Sequence, residues 1–201
     1  MNPYIKEAGP YPVSYHHCPF YLGPVDLKAP RAGVLHTTEG STEEGAESIF
    51  IRHFAPHFCL GKSASGKIVI NQLVPLGQAG AALEAHNQQA IVQIEMVGFS
   101  KDALWLPDSG TLDALAHLMV VLEQECGIPL SHPWPDDDWG RAGYETPHRH
   151  SGKFGKVAGW FGHQDVPNNC HWDCGGIQWS KIFAYAEKLK AVPEDFMLGV
   201  A

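Results

Sequence analysis

Gly162–Asp173 reads "GHQDVPNNCHWD". Two histidines, two aspartates and a cysteine stand there around a proline turn and ahead of a glycine pair. Such a stretch is a metal site, a catalytic apparatus or a polar loop. Read as extended chain, "NNCHWDCGG" alternates its side chains between two faces. His171 and Asp173 then share one face, and Cys170, Trp172 and Cys174 the other. His163 precedes them across Pro167-Asn168-Asn169, a turn that lets it fold back beside them. Two histidines and a carboxylate make a three-ligand zinc site with an open fourth position, the mark of a catalytic rather than a structural zinc. The thiolates of Cys170 and Cys174 are an alternative ligand pair.

Around this stretch the chain has an ordinary globular composition. Of 201 residues, 44% are hydrophobic and 18% charged, which excludes a disordered chain. A chain of this length buries roughly 70% of its unfolded surface and needs no disulfide scaffold. The five cysteines, Cys18, Cys59, Cys126, Cys170 and Cys174, are odd in number and follow no disulfide framework. The formal net charge of −8 argues against a nucleic-acid partner. Twelve histidines direct attention to metal binding and acid–base chemistry. The first twenty residues lack a basic and an apolar signal region, and no apolar run is long enough for a transmembrane helix.

Proline density over residues 1–29 predicts an extended arm laid on the domain surface. "AGVLHTT" predicts a short buried strand ending at His36. Ser41 and Glu44 match a capping box and predict a helix over 42–54, with Ala46, Ile49, Phe50 and His53 at helical spacing. "HFCLGKSASGKIVINQLVP" predicts two strands joined by a Gly/Ser turn. Ile91–Val97 predicts a third strand, apolar but for Gln93 and Glu95, and a carboxylate there needs a reason. "TLDALAHLMVVLEQECGIP" predicts the longest helix, with Leu112, Leu115, Leu118, Met119 and Leu122 inward and a stop at Gly127 and Pro129. A long loop over 131–156 follows. "QWSKIFAYAEKLK" predicts a last helix with Trp179, Ile182, Phe183 and Ala186 inward. The order of elements is that of a single α/β domain over 30–191, with a short tail at 192–201.

Three segments, "VLHTTEG", "IVQIEMVG" and "GHQDVPNNCHWDCG", in this order and spacing, resemble the zinc-dependent N-acetylmuramoyl-L-alanine amidases. This phage-lysozyme-type group shares its fold with peptidoglycan recognition proteins. The resemblance implies a mixed central β-sheet flanked by helices, with zinc in a surface groove. It implies His36, His163 and Asp173 as zinc ligands and Glu95 as the catalytic strand carboxylate. His171 falls where many members carry a lysine and takes that catalytic position. His57 and His86 match groove positions near zinc and substrate. "DCGG" departs from the commoner Asp-Pro-Gly. The implied reaction is cleavage of the amide between N-acetylmuramic acid and L-alanine of peptidoglycan, by a bacteriolytic phage or prophage endolysin, an injected toxin or a cytoplasmic enzyme recycling muropeptides. The alternatives are a binding module of the same fold and an amidase-like hydrolase of another amide or peptide. The chain is expected to be a monomer, made without a signal peptide and acting at the cell wall after release or injection.

Several residues also have plain readings. Glu95 could pair with a cation across the sheet, and His57 and His86 could be hydrogen-bonding groups. His16, His17, His132, His148 and His150 are expected at the surface. Trp134, Trp139 and Tyr144 could stack on sugars or hold their own loop down.

Overall fold

The computed structural model describes residues 1–139 and 146–191. Its strands are β1 (Glu7–Ala8), β2 (Tyr11–Tyr15), β3 (Ala32–Thr37), β4 (Phe58–Lys62), β5 (Ile68–Gln72), β6 (Val92–Met96), β7 (Lys101–Trp105), β8 (Gly159–Gly162) and β9 (Gly175–Ile177). Its helices are α1 (Glu43–Phe50), α2 (Ser109–Cys126) and α3 (Trp179–Lys190). Seven strands form a mixed sheet in the order β1-β2-β5-β4-β6-β3-β8, and β7 pairs with β9 in a separate ribbon. The fold is the expected α/β domain, a central mixed sheet flanked by helices.

Period-two alternation sorts the sheet into two faces. Leu35, Val92, Ile94, Met96 and Trp160 pack against Leu115, Leu118 and Met119 of α2 and Ile182 and Phe183 of α3. On the opposite face Cys59, Leu73 and Val74 pack against Ala46 and Phe50 of α1. This explains the two polar residues of β6: Gln93 and Glu95 point away from the α2–α3 core. Asp108 caps α2 by accepting from the Thr111 amide, and Gly127 ends it at φ 70°. That left-handed turn suits glycine.

Three expectations are corrected. The proline-rich arm is not merely laid on the surface: β1 and β2 extend the sheet, with β2 parallel to β5. The first helix ends at Phe50 rather than 54, and Ile49 is 54% exposed. Its cap is Thr42, which accepts from the Gly45 amide, while Glu44 instead accepts from the Ala64 amide at 2.8 Å. The ribbon strand β7 carried no alternating signal, because four of its five residues are exposed. The tail at 192–201 lies outside the described residues.

Within α1, Glu43 is only 2% exposed. Burial, and then the neighbouring Glu47 carboxylate, push its carboxyl up to about 7. Folded Glu43 therefore keeps its proton well above the pH at which the unfolded chain releases it. The stability this gives is full below about pH 4.5 and is lost as pH rises through about 7. Glu43→Gln keeps the uncharged shape. It is expected to leave the melting temperature at pH 4.5 nearly unchanged. At pH 8 it should stabilise by on the order of 1–2 kcal/mol, the shift being discounted for solvent screening. Equal melting shifts at the two pH values would refute the buried acid.

Candidate metal centre

Three adjacent parallel strands deliver the site. β3 pairs with β6 in the register His36↔Glu95, and with β8 in the register Leu35↔Gly162. The residue after Gly162 is His163, so Glu95, His36 and His163 lie in one row at the carboxyl ends of β6, β3 and β8. Open α/β sheets bind ligands at this edge. The row lies on the face away from α2 and α3, and Phe50 at the end of α1 borders it.

The side chains converge closely. His36 Nδ1 and His163 Nδ1 are 3.0 Å apart. Asp173 places one carboxylate oxygen 3.5 Å from His36 Nδ1 and the other 3.5 Å from His163 Nδ1. The three ligand atoms lie within 4.8 Å of one another and can hold a metal ion. Glu95 Oε1 is 3.9 Å from His36 Nδ1, and its Oε2 is buried without a hydrogen-bond partner. His171 stacks on His163 with ring centroids 4.1 Å apart, and its Nδ1 is 3.6 Å from Asp173.

The electrostatics suit cation binding. Burial drives His163 down to about 4, with His36 adding to the effect, so its ring is neutral at pH 7. Burial would raise Asp173, but hydrogen bonds from His163, His171 and His36 hold it well below the usual carboxylate range. Neutral imidazole and ionised carboxylate are the ligating forms. Burial pushes Glu95 up to about 7, against the attraction of His36. The Asp173 hydrogen bond raises His171, against its own partial burial. Among the described residues Glu95 has no lysine or arginine partner; its ion-pair neighbour is His36.

Asp173 is positioned by its surroundings rather than by a strand. The Gln164 amide donates to the Asp173 carbonyl at 2.8 Å. Trp105 Nε1 donates to the Cys174 carbonyl at 3.0 Å, and Cys174 Sγ donates to the Leu35 carbonyl at 3.2 Å. Gly175 and Gly176 let β9 approach β7: a Cβ on either would fall on the carbonyl oxygens of Lys101 and Ala103. This accounts for the glycine pair after the aspartate. Strict alternation fails in this segment, since Cys170 is exposed while Cys174 is buried. His171 and Asp173 meet all the same. The five cysteines are free thiols, and neither Cys170 nor Cys174 joins the cluster.

The site opens into a pocket of about 490 Å³. His36, Glu95, His163, His171 and Asp173 line it, with Phe50, Phe54, Ala81 and Ala82 giving an apolar wall and Glu39 and Glu84 two further carboxylates. His57 does not line it. It is fully buried, donates from Nε2 to the Gln78 carbonyl at 2.8 Å and accepts from the Gln93 amide at 3.0 Å on Nδ1. Both ring nitrogens are spent on structure. His86 also lies outside the lining, 3.0 Å from Gln89 Oε1 and 3.3 Å from Asn168 Nδ2.

Two residues of the long loop are misplaced by the sequence reading. His148 is 3% exposed and His132 is half-buried, against the surface positions expected. Trp134 is packed face to face on His148 with centroids 3.8 Å apart, and Trp139 is half-buried. Tyr144 lies outside the described residues. Arg149 is a further residue of the site's support. It is buried and donates to the carbonyls of Gln164 and His171, bracing the segments that carry His163 and His171. An arginine in a loop gives no sequence signal for that task.

No family model and no curated protein matches the chain at the level of sequence. Solved structures do match. The hydrolase AmiA of Staphylococcus aureus, solved with its ligand, aligns at a TM-score of 0.58 and 13% identity over 88% of this chain and 82% of that one. The N-acetylmuramoyl-L-alanine amidase LysC of Clostridium intestinale aligns at 0.50 and 15% identity, over 89% and 97% of the two chains. The human PGRP-IBETAC, in complex with glycosamyl muramyl pentapeptide, aligns at 0.50 and 16% identity, over 85% and 93%. The fold is thus that of amidase and peptidoglycan recognition protein structures.

Proposed function

We propose that this chain is a zinc-dependent N-acetylmuramoyl-L-alanine amidase, cleaving the bond between the lactyl group of muramic acid and L-alanine of peptidoglycan. The observation that carries the reading is the convergence of His36, His163, Asp173 and Glu95 at one end of the parallel strands. Ligand atoms on one tetrahedral zinc stand about 3.3 Å apart, as its bond lengths of roughly 2.0–2.1 Å require. The two imidazole nitrogens are 3.0 Å apart, and each has one of the two Asp173 oxygens at 3.5 Å. Two imidazoles and a carboxylate are a catalytic rather than a structural donor set.

When bound, zinc supplies the Lewis acidity that makes amide hydrolysis accessible near neutral pH. The rest falls to the protein. Glu95, buried and poised near 7, takes the proton of the attacking water and returns it to the leaving amine. His171, half-exposed beside Asp173, donates to the developing oxyanion. The apolar wall of Phe50, Phe54, Ala81 and Ala82 carries the substrate and limits water. No described helix is long and apolar enough to cross a membrane. The reading assigns the chain to release or injection towards the wall, as a monomer.

Digestion of purified peptidoglycan tests it, with and without a chelator, products being identified by mass spectrometry. Stem peptides with a free L-alanine amine are expected, and the chelator should abolish their release. Intact wall and intact muropeptides after verified zinc loading would overturn the amidase and leave a binding module.

A further inference from the structure

A second group of ligating side chains lies outside the pocket. His132, His148 and Asp165 bring one ligand atom each within 4.8 Å of one another. His132 follows α2, His148 stands in a 3-10 turn at Pro147–His150, and Asp165 in another at His163–Asp165. None of them lines the cavity around His36.

The donors are arranged as a metal site requires. His132 Nδ1 lies 2.9 Å from the Trp160 carbonyl oxygen. A carbonyl only accepts, so Nδ1 carries the hydrogen and Nε2 of the neutral ring carries the lone pair. Fixing one ring N–H on a carbonyl is how metal-ligating histidines are oriented. Asp165 is fully buried, with one oxygen on the Gly162 amide at 2.8 Å and the other on His148 Nδ1 at 2.8 Å. His148 is almost completely buried, and its Nε2 has no hydrogen-bond partner. Asp138 lies 3.6 Å from that nitrogen. A carboxylate thus flanks each nitrogen of His148, and neither has a lysine or arginine ion-pair partner among the described residues.

Orphaned histidine nitrogens are rare in this protein. Among the described residues they are His36 Nε2, His163 Nε2 and His148 Nε2. Two belong to the candidate metal centre, and the third belongs here. In all three rings it is the other nitrogen, Nδ1, that faces the neighbouring ligand atom, 2.8 Å from Asp165 for His148 and 3.0 Å apart for His36 and His163. The rings are also held rigid. Trp134 stacks on His148, and Trp179 stacks on His132 with centroids 4.9 Å apart. A cavity of about 480 Å³ lined by His132, Trp134, Asp136 and Trp179 reaches the group at His132.

We propose that His132, His148 and Asp165 form a second metal site, selective for zinc-class cations, which pins the segment after α2 and the 147–150 turn onto the turn that carries His163. Imidazole nitrogens with one carboxylate suit this class better than calcium or magnesium. The site stands independently of the amidase reading.

Metal counting on the full chain tests it. The protein is stripped with a chelator, reloaded with zinc, freed of excess and measured by native mass spectrometry and elemental analysis. Two zinc ions per wild-type chain are expected, one in His163→Ala and one in His148→Gln. His148→Gln can still hydrogen-bond to Asp165, and near-UV circular dichroism reports its fold; His132→Gln replaces it if it does not fold. A single wild-type zinc that is lost in His163→Ala and kept in His148→Gln or His132→Gln would overturn the site. Two zinc ions that survive both glutamine variants would overturn it equally. A zinc kept in His163→Ala and lost in His148→Gln upholds this site whatever becomes of the first.

Discussion

Glu95→Gln is expected to lower kcat on peptidoglycan or muropeptides by about 10²–10⁴-fold, the usual contribution of a positioned acid–base group. Glutamine is nearly isosteric with glutamate and cannot accept a proton. Glu95 is buried, lies 3.9 Å from His36 Nδ1 and has an oxygen with no protein partner. It is held near 7 chiefly by burial. A group so placed both accepts and returns a proton at neutral pH, which an ordinary carboxylate does poorly. The control is metal content. Glu95→Gln is expected to keep its zinc, because His36, His163 and Asp173 remain, so the loss belongs to kcat and not to an empty site. A zinc-loaded Glu95→Gln enzyme of wild-type kcat would remove Glu95 from the mechanism.

Trp160→Ala should have the largest effect on stability, about 3–5 kcal/mol by urea denaturation, as for other buried large-to-small aromatic changes. That is a large part of the 5–15 kcal/mol that holds an ordinary domain together. Trp160 is fully buried in the main core. It lies over Gly33 of the neighbouring strand, its register partner, where an added Cβ would come within 2.6 Å of the indole ring. The two residues are one packing unit. Gly33→Ala alone overfills it and should cost about 1–3 kcal/mol. In a Trp160→Phe background, where the ring is smaller, that cost should fall. Trp160 Nε1 has no hydrogen-bond partner, so phenylalanine forfeits no bond. Equal costs of Gly33→Ala in both backgrounds would show that the pair is not coupled. The pair also matters to the site, because it fixes β3 against β8 and so sets His36 against His163.

The sequence could be read furthest where the physics is local. Helix α2 shows in its leucine spacing and its glycine stop, because both are properties of a single helix. The β4–β5 pair shows in two apolar runs around a Gly/Ser turn. The motif residues His36, Glu95, His163, His171 and Asp173 could be named from three short segments and a resemblance. Strand β7 could not be read, since an exposed strand has no alternation to show. His57 looked like a groove residue, but the chain turns it inward, where burial drives its ring down to about 4 and the Gln78 carbonyl and Gln93 amide take both nitrogens.

What the sequence determined alone is the chemical inventory: histidines and carboxylates at the ends of apolar runs, and the helices and strands that carry them. Proximity was decided only by the tertiary structure. His36 and His163 are separated by 127 positions and yet 3.0 Å apart, because β8 pairs with β3 as the parallel edge strand of the sheet. His132, His148 and Asp165 meet for the same reason, through turns that carry no periodic signal. Side-chain period and capping are set within a few residues of chain, whereas strand order and loop docking are set by which buried surfaces fit together. That fit is a property of the whole core.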